Sequence, residues 1–215
     1  MLAKIIEYVF GNFDYILELI VQHLQVSITA IGLAIAVAVP LGILLTRYKG
    51  MSSFVMGFVG ILQTIPSLAL LAIMIPFLGI GFKPAVAALF MYSLLPILRN
   101  VYTGLNEVTY TMIKAARGMG MTSSQIIFKI QIPIAMPIII AGIRTAAVIC
   151  IGTATLAAFI GFGGLGTLIY SGIQQINEVH IFTGAFFSAV LALGVDQLFN
   201  LIEYVATPKG LRINK

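Results

Sequence analysis

Long apolar runs, separated by short charged stretches, dominate the pattern of this chain. Residues 19–46 carry no Lys, Arg, Asp or Glu, and only the start of that run is softened, by Gln22, His23 and Gln25. A second uncharged run covers 51–82, with Pro66 inside it and a turn supplied by Pro76 and Gly79-Ile80-Gly81. Residues 84–98 make a third, short run, bounded by Lys83 and Arg99, whose long side chains can reach outward and extend its effective length. Residues 133–160 and 181–204 are the fourth and fifth, parted by a glycine-rich stretch at 161–177. The runs are continuous rather than alternating, which predicts helices and not barrel strands. At roughly 20 residues per crossing they predict an all-α integral membrane protein of about five transmembrane helices.

Composition agrees. Apolar residues make up 60% of the chain and charged residues 9%, where a soluble domain carries about 25% charged. The expectation is one transmembrane domain over residues 1–215, because the longest polar segment, at 100–129, is too short for a core of its own. Any catalytic engine is therefore expected on another chain. Lys and Arg gather at Arg47 and Lys49, at Arg99 through Lys129, and at Lys209, Arg212 and Lys215. With five crossings, the positive-inside rule predicts an N-terminus outside and a cytoplasmic C-terminus. The outer face then keeps Lys4 and Lys83 beside Glu7, Asp14, Glu18 and Glu178. The net charge of +5 is topology on this reading, not a nucleic-acid footprint. The start of the chain lacks a basic-apolar-small cleavage pattern, so the first span is expected to act as its own insertion signal. Cys150 is the single cysteine and has no intrachain partner. His23 and His180 stand alone at the predicted outer interface, without metal partners at helical spacing, and no nucleophile-and-base arrangement or carboxylate pair is found.

Between spans three and four the character changes. Lys114 to Pro133 reads K-A-A-R-G-M-G-M-T-S-S-Q-I-I-F-K-I-Q-I-P, basic and half polar. A simple turn would order fewer residues, so a segment this polar is expected to dock a soluble partner. Ala115, Ala116, Gly118 and Gly120 have almost no side chain, which lets a short helix press its backbone into a cleft. Arg117 and Lys129 suit an acidic rim, and Pro133 stops the loop where the next span begins. The competing reading is a solvated basic loop that sets topology and nothing more.

The spacing resembles the motif of ABC importer permeases: Glu-Ala-Ala, three residues, Gly, nine residues, Ile, one residue, Leu-Pro. Lys114-Ala115-Ala116, Gly120, Ile130, Ile132 and Pro133 match every interval, with Lys114 in place of the glutamate and Ile132 in place of the leucine. The first change reverses a charge; the second is conservative. In that family this segment is the coupling helix, which docks on the nucleotide-binding subunit and passes its ATP-driven closure to the spans.

Further segments resemble the permeases of bacterial osmoprotectant importers, which carry glycine betaine, carnitine, choline or related quaternary ammonium compounds. They are Ala115 to Thr122, Ala141-Gly142-Ile143-Arg144-Thr145-Ala146, Phe159 to Gly166, and the tail Thr207-Pro208-Lys209-Gly210-Leu211-Arg212. The resemblance implies a type I ABC importer permease fold in the bacterial cytoplasmic membrane. It also implies a second permease, identical or homologous, two ATPase subunits holding ATP and Mg, and a separate substrate-binding lipoprotein. This chain would bind no cofactor itself. A methionine-type amino-acid permease is the nearest alternative, and a gradient-driven carrier or channel a more distant one.

Two charges fall inside spans, Arg144 in the fourth and Asp196 in the fifth, at similar predicted depth. A lone charge there is costly, so an interhelical Arg–Asp bridge is the default; the other reading places one of them on the substrate route. Tyr92 lies near the middle of the third span, and Phe159 and Phe162 border the glycine stretch. A quaternary ammonium can sit against aromatic faces, although apolar cores also contain such residues. Gly161, Gly163, Gly164 and Gly166 lack the Lys and Ser or Thr of a phosphate loop and suit tight turns at a gate-side loop.

Overall fold

The computed structural model describes residues 1–207, apart from the side chain of Lys49. Lys209, Arg212, Lys215 and the tail from Pro208 lie outside the described residues. Those described form ten α-helices, one π turn and one 3-10 turn, with no strand among them. In order these are α1 (Leu2–Gly11), α2 (Phe13–Arg47), α3 (Lys49–Thr64), α4 (Ser67–Leu78), α5 (Phe82–Asn106), α6 (Tyr110–Gly118) and α7 (Ser123–Ile126). The π turn Ile127–Gln131, α8 (Ile132–Ala154), the 3-10 turn Thr155–Ile160, α9 (Gly166–Gln175) and α10 (Glu178–Ala206) follow.

Helices α2, α5 and α10 and the continuous helical stretch at 123–160 are each long and apolar enough to cross a membrane. The run at 51–82 reads as one span, but the structure breaks it into α3 and α4, bent by 98°. Pro66 is the cause: it has no N–H to continue the ladder, and Ile65 before it turns extended, with φ −70° and ψ 127°. The third span is longer than the sequence suggests. Asn100 and Asn106 donate to the carbonyls four residues back, at 2.8 Å each, and Tyr102 donates to Ser52 on α3 at 3.1 Å. These polar residues thus continue α5, so Arg99 sits two turns before its end and the connecting segment starts near 107 rather than 100. The stretch at 161–177 is no simple loop either, since most of it is α9.

Helices α2, α5 and α8 form the centre, and glycines set how closely they approach. A Cβ on Gly42 of α2 would come 2.6 Å from Val101 Cγ1 of α5, and one on Gly104 of α5 would come 3.1 Å from Ile138 Cβ of α8. Without an aqueous phase to drive helices together, close backbone packing of this kind holds a membrane bundle. Around these contacts lie two buried clusters, one with Val26, Leu89 and Cys150, the other with Ala38, Leu98 and Ala135. Helix α10 covers α8 and α9 and leaves Phe186, Val190, Leu193 and Leu201 exposed.

The ends of α8 separate two regions by about 35 Å at 1.5 Å per residue. At one end Arg47 Nη2 donates to Ser124 Oγ (3.3 Å) and Gln131 Nε2 to the Leu105 carbonyl (3.0 Å). At the other, the Gly164 N–H donates to Gln22 Oε1 (3.0 Å) and the Gly81 N–H to the Ile160 carbonyl (3.0 Å). The N-terminus lies with the glycine turn, and α10 ends on the side of α6 and α7.

Candidate functional site

The segment between α5 and α8 is two short helices joined by paired caps. Helix α6 ends in a Schellman motif: the Gly120 N–H donates to the Arg117 carbonyl (2.9 Å) and the Met121 N–H to the Ala116 carbonyl (3.1 Å). Gly120 takes φ +80°, which an L side chain resists. Thr122 then caps α7. Its hydroxyl accepts from the Gln125 N–H (3.3 Å), and Gln125 Oε1 accepts from the Thr122 N–H (2.8 Å), a complete capping box. T-S-S-Q is legible in the sequence as that signal. The π turn Ile127–Gln131 joins α7 to α8 without a break in helical structure, so a push on α6 and α7 acts on a spanning helix.

Burial divides the motif residues. Ala116 is 0% exposed, so its small side chain serves the packing of this chain, and the expectation that it meets a partner is corrected. Lys114, Ala115, Arg117, Gly118 and Gly120 are exposed, while Ile130, Ile132 and Pro133 are half-buried around the start of α8. A Cβ on Gly118 would meet nothing within 4 Å. The sequence reading missed the large apolar side chains exposed along this segment: Tyr110, Met112, Met119 and Phe128. Apolar residues within a polar segment were the available signal. Behind α6 lies a cleft of about 460 Å³ whose lining includes Thr46, Arg47, Asn106, Tyr110, Arg117 and Gln131.

Within the spans, the structure brings Arg144 and Asp196 together. Arg144 Nε donates to Asp196 Oδ1 (2.6 Å) and Nη2 to Oδ2 (2.7 Å), a bidentate pair. Two further partners were not anticipated: Nη1 lies 3.7 Å from Glu203 Oε2 and 3.5 Å from Asn200 Oδ1. Asp196, Asn200 and Glu203 sit at i, i+4 and i+7 on α10, one helical stripe facing α8. One cation thus faces two carboxylates.

The proposed aromatic lining does not come together. Tyr92 is buried, its hydroxyl donates to the Ile65 carbonyl at the α3–α4 break, and its own carbonyl accepts from Gln63 Nε2 at 2.9 Å. With ring and hydroxyl both engaged in holding that break, Tyr92 is corrected from substrate path to clasp. Phe162 packs on Phe82 (ring centroids 5.5 Å apart) and Phe159 on Tyr170 (4.9 Å), as two separate pairs. His23 is not interfacial. It is fully buried, and its Nε2 donates to the Ile151 carbonyl at 3.0 Å, just before α8 tightens into the 3-10 turn. His180 packs on Tyr8 with the rings tilted by 44° and their centroids 4.7 Å apart.

Residues 38–204 match the family model described as "Binding-protein-dependent transport system inner membrane component". The chain is 50% identical to the carnitine transport permease protein OpuCB of Listeria monocytogenes, over 89% of this chain and 88% of that protein. It is 49% identical to the glycine betaine/carnitine/choline transport system permease protein OpuCB of Bacillus subtilis, with the same coverage of 89% and 88%. Among solved structures it resembles the inward-facing MetNI methionine ABC transporter, with a TM-score of 0.82 and 24% identity over 90% of this chain and 96% of that one. That identity speaks for the fold alone, a type I ABC importer permease fold.

Proposed function

The chain belongs to the binding-protein-dependent transport system inner membrane component family, and from that premise we propose that it is the permease of an ATP-driven importer of quaternary ammonium osmoprotectants. Glycine betaine, carnitine and choline are the substrates in view. The half-identity relatives named for these compounds carry this reading. Family membership sets aside the gradient-driven carrier and the channel.

The capped α6–α7 pair supports a coupling role. Exposed Met112, Ala115, Gly118 and Met119 form the surface offered to an ATPase subunit, with Lys114, Arg117 and Lys129 around it. The buried side of α6 and the continuous π turn carry its displacement into α8. We take this end as cytoplasmic and residues 1–215 as one permease domain. A second permease completes the pathway, two ATPase subunits supply ATP and Mg chemistry, and a substrate-binding lipoprotein delivers from outside. The Arg144–Asp196 pair is a strut between α8 and α10. Phe159 and Phe162 at the glycine turn are the remaining aromatic candidates for the route.

The test is reconstitution of the permease in proteoliposomes with the ATPase subunit and the binding protein of its importer. Uptake of labelled glycine betaine, carnitine or choline, dependent on ATP and on the binding protein, is expected. Uptake of methionine in their place would overturn the substrate class, and uptake without ATP would overturn the mechanism.

A further inference from the structure

At the end of the molecule opposite α6, one residue holds a backbone conformation it resists. Ile176 has φ 53° and ψ 40°, and it is the one non-glycine residue with positive φ among those described. A β-branched side chain is among the least suited to the left-handed region. The conformation is fixed from both sides. Helix α9 ends in a Schellman pairing, the Asn177 N–H donating to the Gly172 carbonyl (2.8 Å) and the Ile176 N–H to the Ile173 carbonyl (3.4 Å). That motif ordinarily takes glycine where Ile176 stands. Asn177 then caps α10, its Oδ1 accepting from the N–H groups of Val179 (3.0 Å) and His180 (3.4 Å). A Cβ on Gly172 would come 2.6 Å from Ile181, so α9 and the first turn of α10 are locked together beneath the tip.

The hydrogen bonds hold the backbone, but no packing among the described residues engages the side chain, for Ile176 is 90% exposed. Ile173, one turn back, is also exposed, and the surroundings are polar: Gln174, Gln175, Glu178 and Lys4 are all exposed. Ile176 also forms part of the wall of a cleft of about 500 Å³, with Lys4, Gln175, Asn177 and Glu178 among its other lining residues. An apolar knob on a rigid base inside a polar rim has the anatomy of a binding hot spot. Its polar collar argues against insertion into lipid. The family description requires a binding protein, and this tip is on the face away from the ATPase-coupling helices.

We propose that Ile176, with Ile173 behind it, is the anchor by which the permease engages the substrate-binding protein, entering an apolar depression on that protein. This rests on the importer reading above. The retained strain keeps the knob upright before the partner arrives, so less ordering is needed on docking.

The experiment uses the reconstituted permease–ATPase complex and reads ATP hydrolysis against binding-protein concentration for Ile176→Gly, Ile176→Asn and Ile176→Leu. Gly and Asn both accept the left-handed backbone, so neither is expected to lower the thermal midpoint of the complex. Both are expected to raise the half-saturating binding-protein concentration about tenfold or more, and Leu to stay within about threefold of wild type. A wild-type response from both Gly and Asn would overturn the assignment. A wild-type complex that the binding protein does not stimulate would count against the importer reading itself.

Discussion

The Gln63 side-chain amide donates at 2.9 Å to the main-chain carbonyl of Tyr92, the carbonyl that Pro96 leaves without its helical N–H. In return the Tyr92 hydroxyl donates to the carbonyl of Ile65, beside the break at Pro66. The first bond replaces the one Pro96 removes from α5, and the second pairs a carbonyl left at the end of α3, both across the contact of α5 with the α3–α4 break. Lipid offers no water to do it.

Replacing Tyr92 by Phe leaves the Ile65 carbonyl unpaired and should lower stability by about 1–3 kcal/mol. The half-saturating concentration for transport should not move. Thermal unfolding in detergent and uptake kinetics check both; a shifted half-saturation at unchanged stability would return Tyr92 to the substrate path.

Gly118 and Gly120 should respond differently. Gly118 faces open space in a helical conformation, so Gly118→Trp should leave stability near wild type while abolishing copurification of the ATPase and transport. Gly120 holds φ +80°, so Gly120→Ala should cost about 1–2 kcal/mol of local stability. Full transport by Gly118→Trp at normal expression would sink the docking surface. Thr122→Ala, which removes the capping box, should cost about 1 kcal/mol.

The Arg144 cluster predicts an asymmetry. Asp196→Asn leaves Arg144 with Glu203 at 3.7 Å, whereas Arg144→Gln leaves two carboxylates with no cation. The arginine variant should therefore yield less folded protein than the aspartate variant. Adding Asp196→Asn and Glu203→Gln to Arg144→Gln should restore yield, because the uncompensated charges leave together. Purified yield and thermal midpoints across the set decide it; equal, additive losses would show that the three do not act as one cluster.

Among helix glycines, position should override residue type. A Cβ on Gly166 would overlap the Thr155 carbonyl, whereas one on Gly152 meets nothing within 4 Å. Gly152→Ala should hold or raise stability by up to about 1 kcal/mol. Gly166→Ala should prevent α9 from seating against the 3-10 turn and sharply reduce folded yield. Matching behaviour of the two variants would refute the packing shown for α9.

The sequence by itself determined the membrane class and the helical crossings, because apolar run length is a local property that the bilayer reads directly. Motif spacing and charge bias, being linear features, also set Lys114 to Pro133 apart from the spans, and depth and sign matched Arg144 to Asp196. Only the tertiary structure decided which groups meet. Burial of Ala116 turned a supposed contact residue into packing, and the neighbours of Arg144 on α10 included Glu203 and Asn200. The hydroxyl of Tyr92 was claimed by Ile65, and His23 moved from an outer interface to the core against Ile151. The strain at Ile176 could not be read from residue type, because φ there is imposed by caps on both flanking helices. Pairing, burial and left-handed backbone depend on what folds back from elsewhere in the chain, and no local pattern carries that information.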